Sequence, residues 1–406
     1  MTETMIEADP RGFRAPGTTF MIGGGLVGAV GAYLFQVIGA NAIGSEDLAP
    51  ISLLWTAFFI LATIALVPIE QYVTREVASG RKAIPNAARA TYWFAVTAAL
   101  VSGLFVIVTR ESMFGGSWQY VIQAILLVVG YSLLFFGKGV LAGRRRFADV
   151  GWVLIIETVV RLVAGIVAIQ LFATAESLGW AMVLGGFSVL GMRWWRKDSG
   201  DEKATPAPAS RFLGGYVGGS TSSQLLLGGA PIAAALFGAS DSLVSVIFVT
   251  FTLYRAPLTL IFALQGRVLP YLVGLTGGTD RRHLARIAGL VVAAGVGLAL
   301  LGALVGWLVG PEVVGLLYID EFIPERAVAA LAAGGVMAAA AAQIAGQVLV
   351  AEGRTSRLAV AWFVGLVVAL VVMVLYRPEP GLRVAAGFAA GEAVALFFMW
   401  ILAARK

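Results

Sequence analysis

Twelve runs of about twenty apolar residues follow one another along this chain, and they constrain the fold more than any other feature. A bilayer core about 30 Å thick takes roughly 20 apolar residues per helix. The runs lie near 18–43, 48–74, 87–109, 117–142, 150–173, 177–195, 212–237, 243–273, 284–309, 326–351, 357–376 and 382–403. The eighth is the longest and contains Pro257 and Pro270. A soluble fold could not hide them: 59% of the 406 residues are hydrophobic and 13% are charged. Soluble domains run nearer 45–50% and about 25%. Lipid offers the backbone no hydrogen-bond partner, so each run is expected to be helical. The expected fold class is an all-α polytopic membrane protein with twelve transmembrane helices.

The connections carry the orientation signal. Alternate connections are rich in Lys and Arg, which puts nearly all of them on one side. The other side holds only Arg110, Arg326, Arg377 and Arg383. An even span count with this alternation places both termini in the cytoplasm. The net charge of +6 is then a topology signal dispersed over seven segments, and nucleic-acid binding is a poor reading of it. Residues 1–16 are polar and the first apolar run is too long for a signal-peptide core, so it is expected to remain as a helix.

Several chemistries are excluded by residue counts. Cysteine is absent and His283 is the only histidine. Disulfides, thiolate metal sites, histidine metal sites and a Ser-His-Asp triad are therefore not expected. No GxxxxGK[ST] phosphate loop occurs, so the chain does not hydrolyse ATP by that route. The outer connections are short, with Asp320, Glu321 and Glu325 as their only acidic cluster, which argues against a membrane enzyme. No metal or cofactor is expected.

The polar stretch Arg196 to Arg211 divides the spans six and six. Glycines crowd the first span (Gly23, Gly24, Gly25, Gly28, Gly31) and the seventh (Gly214, Gly215, Gly218, Gly219). Each is followed by a short acidic loop, Ser45-Glu46-Asp47-Leu48 and Ser240-Asp241-Ser242-Leu243, at an offset of 195 residues. The fourth span ends GVLAGRRRFADVGW (Gly139 to Trp152), the tenth QVLVAEGRTSRLAVAW (Gln347 to Trp362). Both read as an apolar helix, a glycine, arginines and a new helix. A parallel repeat follows: a lobe at 1–196, a cytoplasmic linker at 197–211 and a lobe at 212–406. Two six-helix lobes around a central cleft is the expected architecture. The Gly24/Gly28 and Gly215/Gly219 pairs are read first as packing surfaces.

Three segments carry a family resemblance. Gly137 to Val163 (GKGVLAGRRRFADVGWVLIIETVVRLV) resembles the fourth and fifth spans of polysaccharide flippases of the multidrug/oligosaccharidyl-lipid/polysaccharide exporter superfamily. Gly310 to Ala332 (GPEVVGLLYIDEFIPERAVAALA) is similar to the stretch before the family's tenth span, with Ile319-Asp320 where a glycine is expected. Tyr254 to Pro270 (YRAPLTLIFALQGRVLP) is similar to the eighth. The resemblance implies alternating access of two lobes, moving a polyprenyl-diphosphate-linked oligosaccharide from the inner to the outer leaflet of a bacterial cell membrane. It also implies membrane lipids as surroundings, a polysaccharide polymerase or glycosyltransferase as protein partner, and a monomer. A cation-coupled multidrug antiporter of the same superfamily is the alternative. Such members generally carry a carboxylate inside a bundle, often an aspartate in the first span, and here the first span has no acid.

Counting from the span ends, Arg161, Arg255 and Glu392 fall near mid-depth, and Glu157 lies one turn from Arg161. An arginine at the bilayer centre costs about 2.5–3.5 kcal/mol on insertion scales, so each needs a partner or a wet cavity. In the functional reading, Arg161 and Arg255 line the cleft and attract an anionic headgroup, since guanidinium forks match phosphate oxygens. In the structural reading, Glu157 neutralises Arg161 and Glu392 neutralises Arg255. Glu70 follows Pro68 in the second span, and Gln265 follows Pro257 in the eighth. Both are candidate polar walls, although Glu70 also suits an interfacial pair with Arg75. The embedded amides Gln36, Asn41, Gln123, Gln224, Gln343 and Gln347 are expected mostly to bridge helices.

Overall fold

The computed structural model describes residues 17–78, 83–191, 221–258 and 281–404, with the side chains of 83–86 and 281–288 set aside. These residues are helical almost throughout. The helices are α1 (Thr18–Leu61), α2 (Val67–Ala78), α3 (Ala83–Met113), α4 (Gln119–Gly143), α5 (Phe147–Leu171) and α6 (Ala175–Phe187). Then come α7 (Ala230–Leu236), α8 (Asp241–Tyr254), α9 (Arg281–Gly315), α10 (Arg326–Ala351), α11 (Thr355–Leu375) and α12 (Pro380–Ala404). A further helical stretch at 221–228 precedes α7.

Among the described residues nine helical runs are long and apolar enough to cross a membrane. The first, Thr18–Ala78, holds two of the expected spans, because Gly44 breaks it at φ 80° and ψ 175°. That conformation suits glycine and strains other residues. The sixth expected span is the shorter apolar helix Ala175–Gly191. The seventh and eighth are described only in part. The chain is thus a multi-pass membrane protein with the twelve-span helical fold that its hydropathy predicts.

The two acidic segments related by the 195-residue offset are helix starts rather than loops. Ser45, Glu46 and Asp47 are taken into the second segment of α1. Ser240 caps α8, its hydroxyl accepting from the Leu243 N–H at 3.3 Å, with Asp241 in the first turn. Acidic side chains stabilise this end of a helix, where N–H groups are unpaired and the dipole is positive.

The basic connections after α4 and α10 also share one backbone device. The Arg146 N–H donates to Leu141 O at 2.9 Å, and the Arg354 N–H to Leu349 O at 2.8 Å. Each is the six-to-one bond of a left-handed helix end. The left-handed residue is Gly353 after α10 (φ 72°) but Arg145 after α4 (φ 58°). Gly143, which the motif comparison sets against Gly353, serves another purpose. A Cβ there would lie 2.7 Å from Val77 Cβ and 2.8 Å from Thr74 O, so it admits α2 against α4.

The chain divides into two compact units. The first comprises Met1–Ile38, Ala65–Leu104 and Val121–Leu213; the second comprises Gly39–Ile64, Phe105–Tyr120 and Gly214–Lys406. The second unit therefore takes in stretches 39–64 and 105–120, which the linker-based division places in the first lobe.

In the first unit, α1 and α5 meet along a seam of small residues. A Cβ on Gly24 would lie 2.6 Å from Gly151 O, one on Gly151 would strike Phe20, one on Gly31 would strike Thr158, and one on Gly165 would strike Phe35. Positions 151, 158 and 165 are two turns apart, so one face of α5 makes the whole seam. Close backbone approach of this kind maximises dispersion contact where lipid provides no hydrophobic drive. Gly24 is thus a packing residue; Gly215 and Gly219 lie outside the described residues.

In the second unit, α9 packs on α10 through Gly302, Gly306 and Gly334, and α11 on α12 through the facing pair Gly365 and Gly391. Outward stripes remain apolar. Leu300, Leu304 and Leu308 on α9, and Phe363, Val367, Leu370 and Val374 on α11, are all exposed at helical spacing. Patches of that size are not tolerated in water, and acyl chains are their natural solvent.

Candidate functional site

Two spans that correspond across the repeat are interrupted ahead of a proline. In the second, Ala62–Leu66 forms a π-helical turn just before Pro68, and the Thr63 hydroxyl donates to Phe59 O at 2.9 Å. In the eighth, α8 ends at Tyr254 with Arg255 as its cap, two residues before Pro257. Proline removes one backbone donor and disfavours helix in the residue before it. Interrupted helices within a membrane occur where irregular backbone is buried in protein or lines a wet cavity.

Arg255 stands at this interruption. Its N–H donates to Phe251 O at 3.2 Å, its carbonyl accepts from Leu258 N–H at 2.8 Å, and its guanidinium carbon lies 5.6 Å from the Phe251 ring centroid. The residue is half-buried. Beside it, Tyr254 packs toward Gly310 of α9, and its buried hydroxyl has no hydrogen-bond partner among the described residues. The hydroxyls of Ser245 and Thr250 are in the same condition. Unmet polar capacity therefore gathers along α8.

Glu392, at the middle of α12, is 0% exposed. Neither carboxylate oxygen receives a hydrogen bond from a described residue. Phe388, one turn before Glu392, meets Phe251, one turn before Arg255, with ring centroids 5.0 Å apart. The structure thus brings Arg255 and Glu392 into one neighbourhood, but no described residue gives either Glu392 oxygen the hydrogen bond that the structural reading expects. It buries the acid entirely and the arginine in part, with Arg255 Nε and Nη2 among the buried atoms.

Glu157 and Arg161 are placed together in the first unit. Arg161 Nη1 donates to Glu157 Oε1 at 2.7 Å, and the two side chains are 9% and 8% exposed. Tyr131 of α4 completes a triad, donating to Glu157 Oε1 at 2.6 Å and accepting from Arg161 Nη1 at 3.2 Å. The Thr158 hydroxyl, which donates to Leu154 O at 2.8 Å, lies 3.3 Å from Glu157 Oε2. Gly185 and Gly186 of α6 press on this cluster so closely that a Cβ on Gly185 would lie 3.1 Å from Arg161 Cβ. The geometry matches mutual neutralisation. Sequence reasoning missed Tyr131, since nothing local marks a tyrosine on another helix as the third member.

Glu70 pairs with Lys138 of α4 at 2.8 Å, not with Arg75. The i, i+5 spacing of Glu70 and Arg75 separates them around the helix, whereas Gly139 lets α4 lie directly against the backbone at Glu70. Gln265 lies outside the described residues. Among the amides, Gln123 bridges helices as expected, its Nε2 donating to Glu176 O at 2.8 Å.

A second polar cluster joins the Gly44 break to distant parts of the second unit. Asn41 reads both faces of the connection after α9: its Nδ2 donates to Leu317 O at 2.8 Å, and its Oδ1 accepts from the Ile319 N–H at 3.0 Å. The Ser45 N–H donates to Glu321 Oε2 at 3.1 Å. The Ser45 and Ser242 hydroxyls are 2.9 Å apart.

No protein-family model matches the chain. Uncharacterized protein Rv1510 of Mycobacterium tuberculosis (strain ATCC 25618 / H37Rv) is 25% identical over 406 residues, covering 93% of this chain and 90% of that protein. Among solved structures, the inward-facing conformation of a multidrug resistance MATE family transporter of the MOP superfamily matches with a TM-score of 0.66 at 13% identity, over 91% of this chain and 93% of that one. A MOP superfamily transporter from Pyrococcus furiosus, whose binding pocket is described as of reverse polarity suggesting a different function, matches with a TM-score of 0.56 at 16% identity, over 95% and 93%. At such identity these likenesses establish the fold, which is that of the MOP superfamily transporters.

Proposed function

We propose that the chain is a transporter that flips a polyprenyl-diphosphate-linked oligosaccharide, or a related polysaccharide precursor, from the inner to the outer leaflet of a bacterial cell membrane by alternating access. The observation that carries this reading is Arg255, half-buried at the interruption of a membrane span. A guanidinium placed there suits a phosphate ligand, whose oxygens match its fork of N–H donors. The fold supports transport over catalysis. Both termini are taken as cytoplasmic, the protein as a monomer, and a polymerase or glycosyltransferase as its partner in polysaccharide assembly. Arg161 is assigned the lesser role, since Glu157 already neutralises it.

A cation-coupled multidrug antiporter is the second reading, and the buried carboxylate of Glu392 is the observation that favours it. The absence of any acid between Thr18 and Ile43 counts against it.

The test is export of the host's surface polysaccharide with Arg255→Ala at normal membrane abundance. Lost export that Arg255→Lys restores to a fraction supports a cationic substrate contact. Normal export with Arg255→Ala removes it. A deletion strain with intact polysaccharide and altered drug sensitivity transfers the assignment to the antiporter.

A further inference from the structure

In the twelve-span order, the connections after the first, third, seventh and ninth spans all fall on the membrane face opposite the start of α1. The first two belong to stretches 39–64 and 105–120, which come from the first half of the chain but are counted with the second unit. At the first of them the bonds are few and polar. Asn41 holds the backbone of Leu317 and Ile319, the Ser45 N–H donates to Glu321, and the Ser45 hydroxyl meets that of Ser242.

This joint is made of replaceable parts. Asn41, Leu317, Ile319 and Glu321 are exposed. Water takes over such groups when their bonds part, so the net cost of separation is a fraction of each bond's strength. Two helix starts also meet here, since Ser45 follows the Gly44 break and Ser242 lies in the first turn of α8. Both ends carry positive partial charge, and the Glu321 carboxylate at one of them offsets their repulsion. Nearer its start, α1 is fixed in another way. There Gly24 and Gly31 lie directly against Gly151 and Thr158 of α5. Close packing of that kind has no substitute in water or lipid. The helix is therefore held by a packed seam along its first part and by exposed polar bonds at Asn41 and Ser45.

We propose that Asn41, Ser45, Ser242 and Glu321 form a latch that closes the face opposite the start of α1, and that it parts in each transport cycle so that this face opens. The proposal rests on the alternating-access reading, but not on which substrate is carried.

The chain has no cysteine, so an introduced pair reports alone. Hydroxyls 2.9 Å apart place two cysteine sulfurs where a short shift lets them bond. Ser45→Cys combined with Ser242→Cys, in the full chain, is expressed in a strain deleted for the gene. Transport is read as the trait that the deletion alters, polysaccharide export or drug tolerance. Oxidation is expected to cross-link the pair and lower transport at least tenfold, reduction to restore it, and each single variant to be insensitive to the oxidant. Normal transport with the free thiols fully consumed overturns the latch. Failure to cross-link overturns it too, because the two serines would not then meet. If the reduced pair is inactive, Ser45→Cys alone decides the matter. Its labelling by a membrane-impermeant maleimide is expected to run at least threefold faster once Asn41→Leu is added, and an unchanged rate overturns the latch. A deletion that alters neither trait removes the transport reading and the inference with it.

Discussion

The hydroxyl of Ser45 lies 2.9 Å from that of Ser242, although 197 residues separate them in the chain. Each stands at the start of a helix, and the segments containing them are those that the internal repeat relates. Ser45 belongs to a larger set of bonds, in which Asn41 holds Leu317 and Ile319 and the Glu321 carboxylate accepts from the Ser45 N–H. A carboxylate at that N–H also opposes the positive end of the helix dipole.

Asn41→Leu removes two hydrogen bonds at once and is expected to lower stability by about 1–3 kcal/mol. Ser45→Ala removes one weaker contact and should cost about 1 kcal/mol or less. Thermal denaturation of the purified protein should rank the two variants in that order. Equal midpoints in the two variants would mean that the two Asn41 bonds contribute no more than the single Ser45 contact.

For the buried Arg161–Glu157 pair, loss of one member leaves an uncompensated charge beside Tyr131. Arg161→Met or Glu157→Gln alone is expected to destabilise by about 3–5 kcal/mol, whereas the double replacement should recover most of that loss. A double-mutant cycle on thermal stability is the measurement. Additive losses would show that the pair is not coupled.

Arg145 occupies a left-handed conformation that costs a non-glycine residue about 1 kcal/mol or more. Arg145→Gly should therefore raise stability by about 0.5–1 kcal/mol. Gly353→Ala, at the equivalent helix end, should lower it by about 1 kcal/mol. Melting midpoints that move the same way in both variants would contradict the shared geometry.

Gly23, Gly24 and Gly25 are adjacent and face different surroundings. A Cβ at Gly23 or Gly25 meets nothing within 4 Å, whereas one at Gly24 runs into Gly151. Gly24→Ala is expected to cost about 1–3 kcal/mol through overpacking, with Gly23→Ala and Gly25→Ala within about 0.5 kcal/mol of wild type. Comparable losses at all three positions would argue against the seam.

Hydropathy made the twelve spans legible, because lipid demands long apolar helices irrespective of what surrounds them. The pairing of Glu157 with Arg161 was legible too, being local to one helix. Partners from other helices were not: Tyr131 joins that pair and Lys138 takes Glu70 by tertiary placement alone. Motif alignment matched Gly143 to Gly353, but the backbone equates Arg145 with Gly353. The dihedral recurs while the residue type does not, and residue identity is all that an alignment reads. Glu392 was visible as a charge in an apolar run, but its complete enclosure depends on small residues from neighbouring helices, such as Gly365 opposite Gly391.

Gly44 sets how far apart two anchors can sit. Asn41 on one side of it and Ser45 on the other are both tied to the connection after α9, and a single non-helical residue leaves almost no slack between those ties. A residue inserted at Gly44 would have to be absorbed at one attachment or the other.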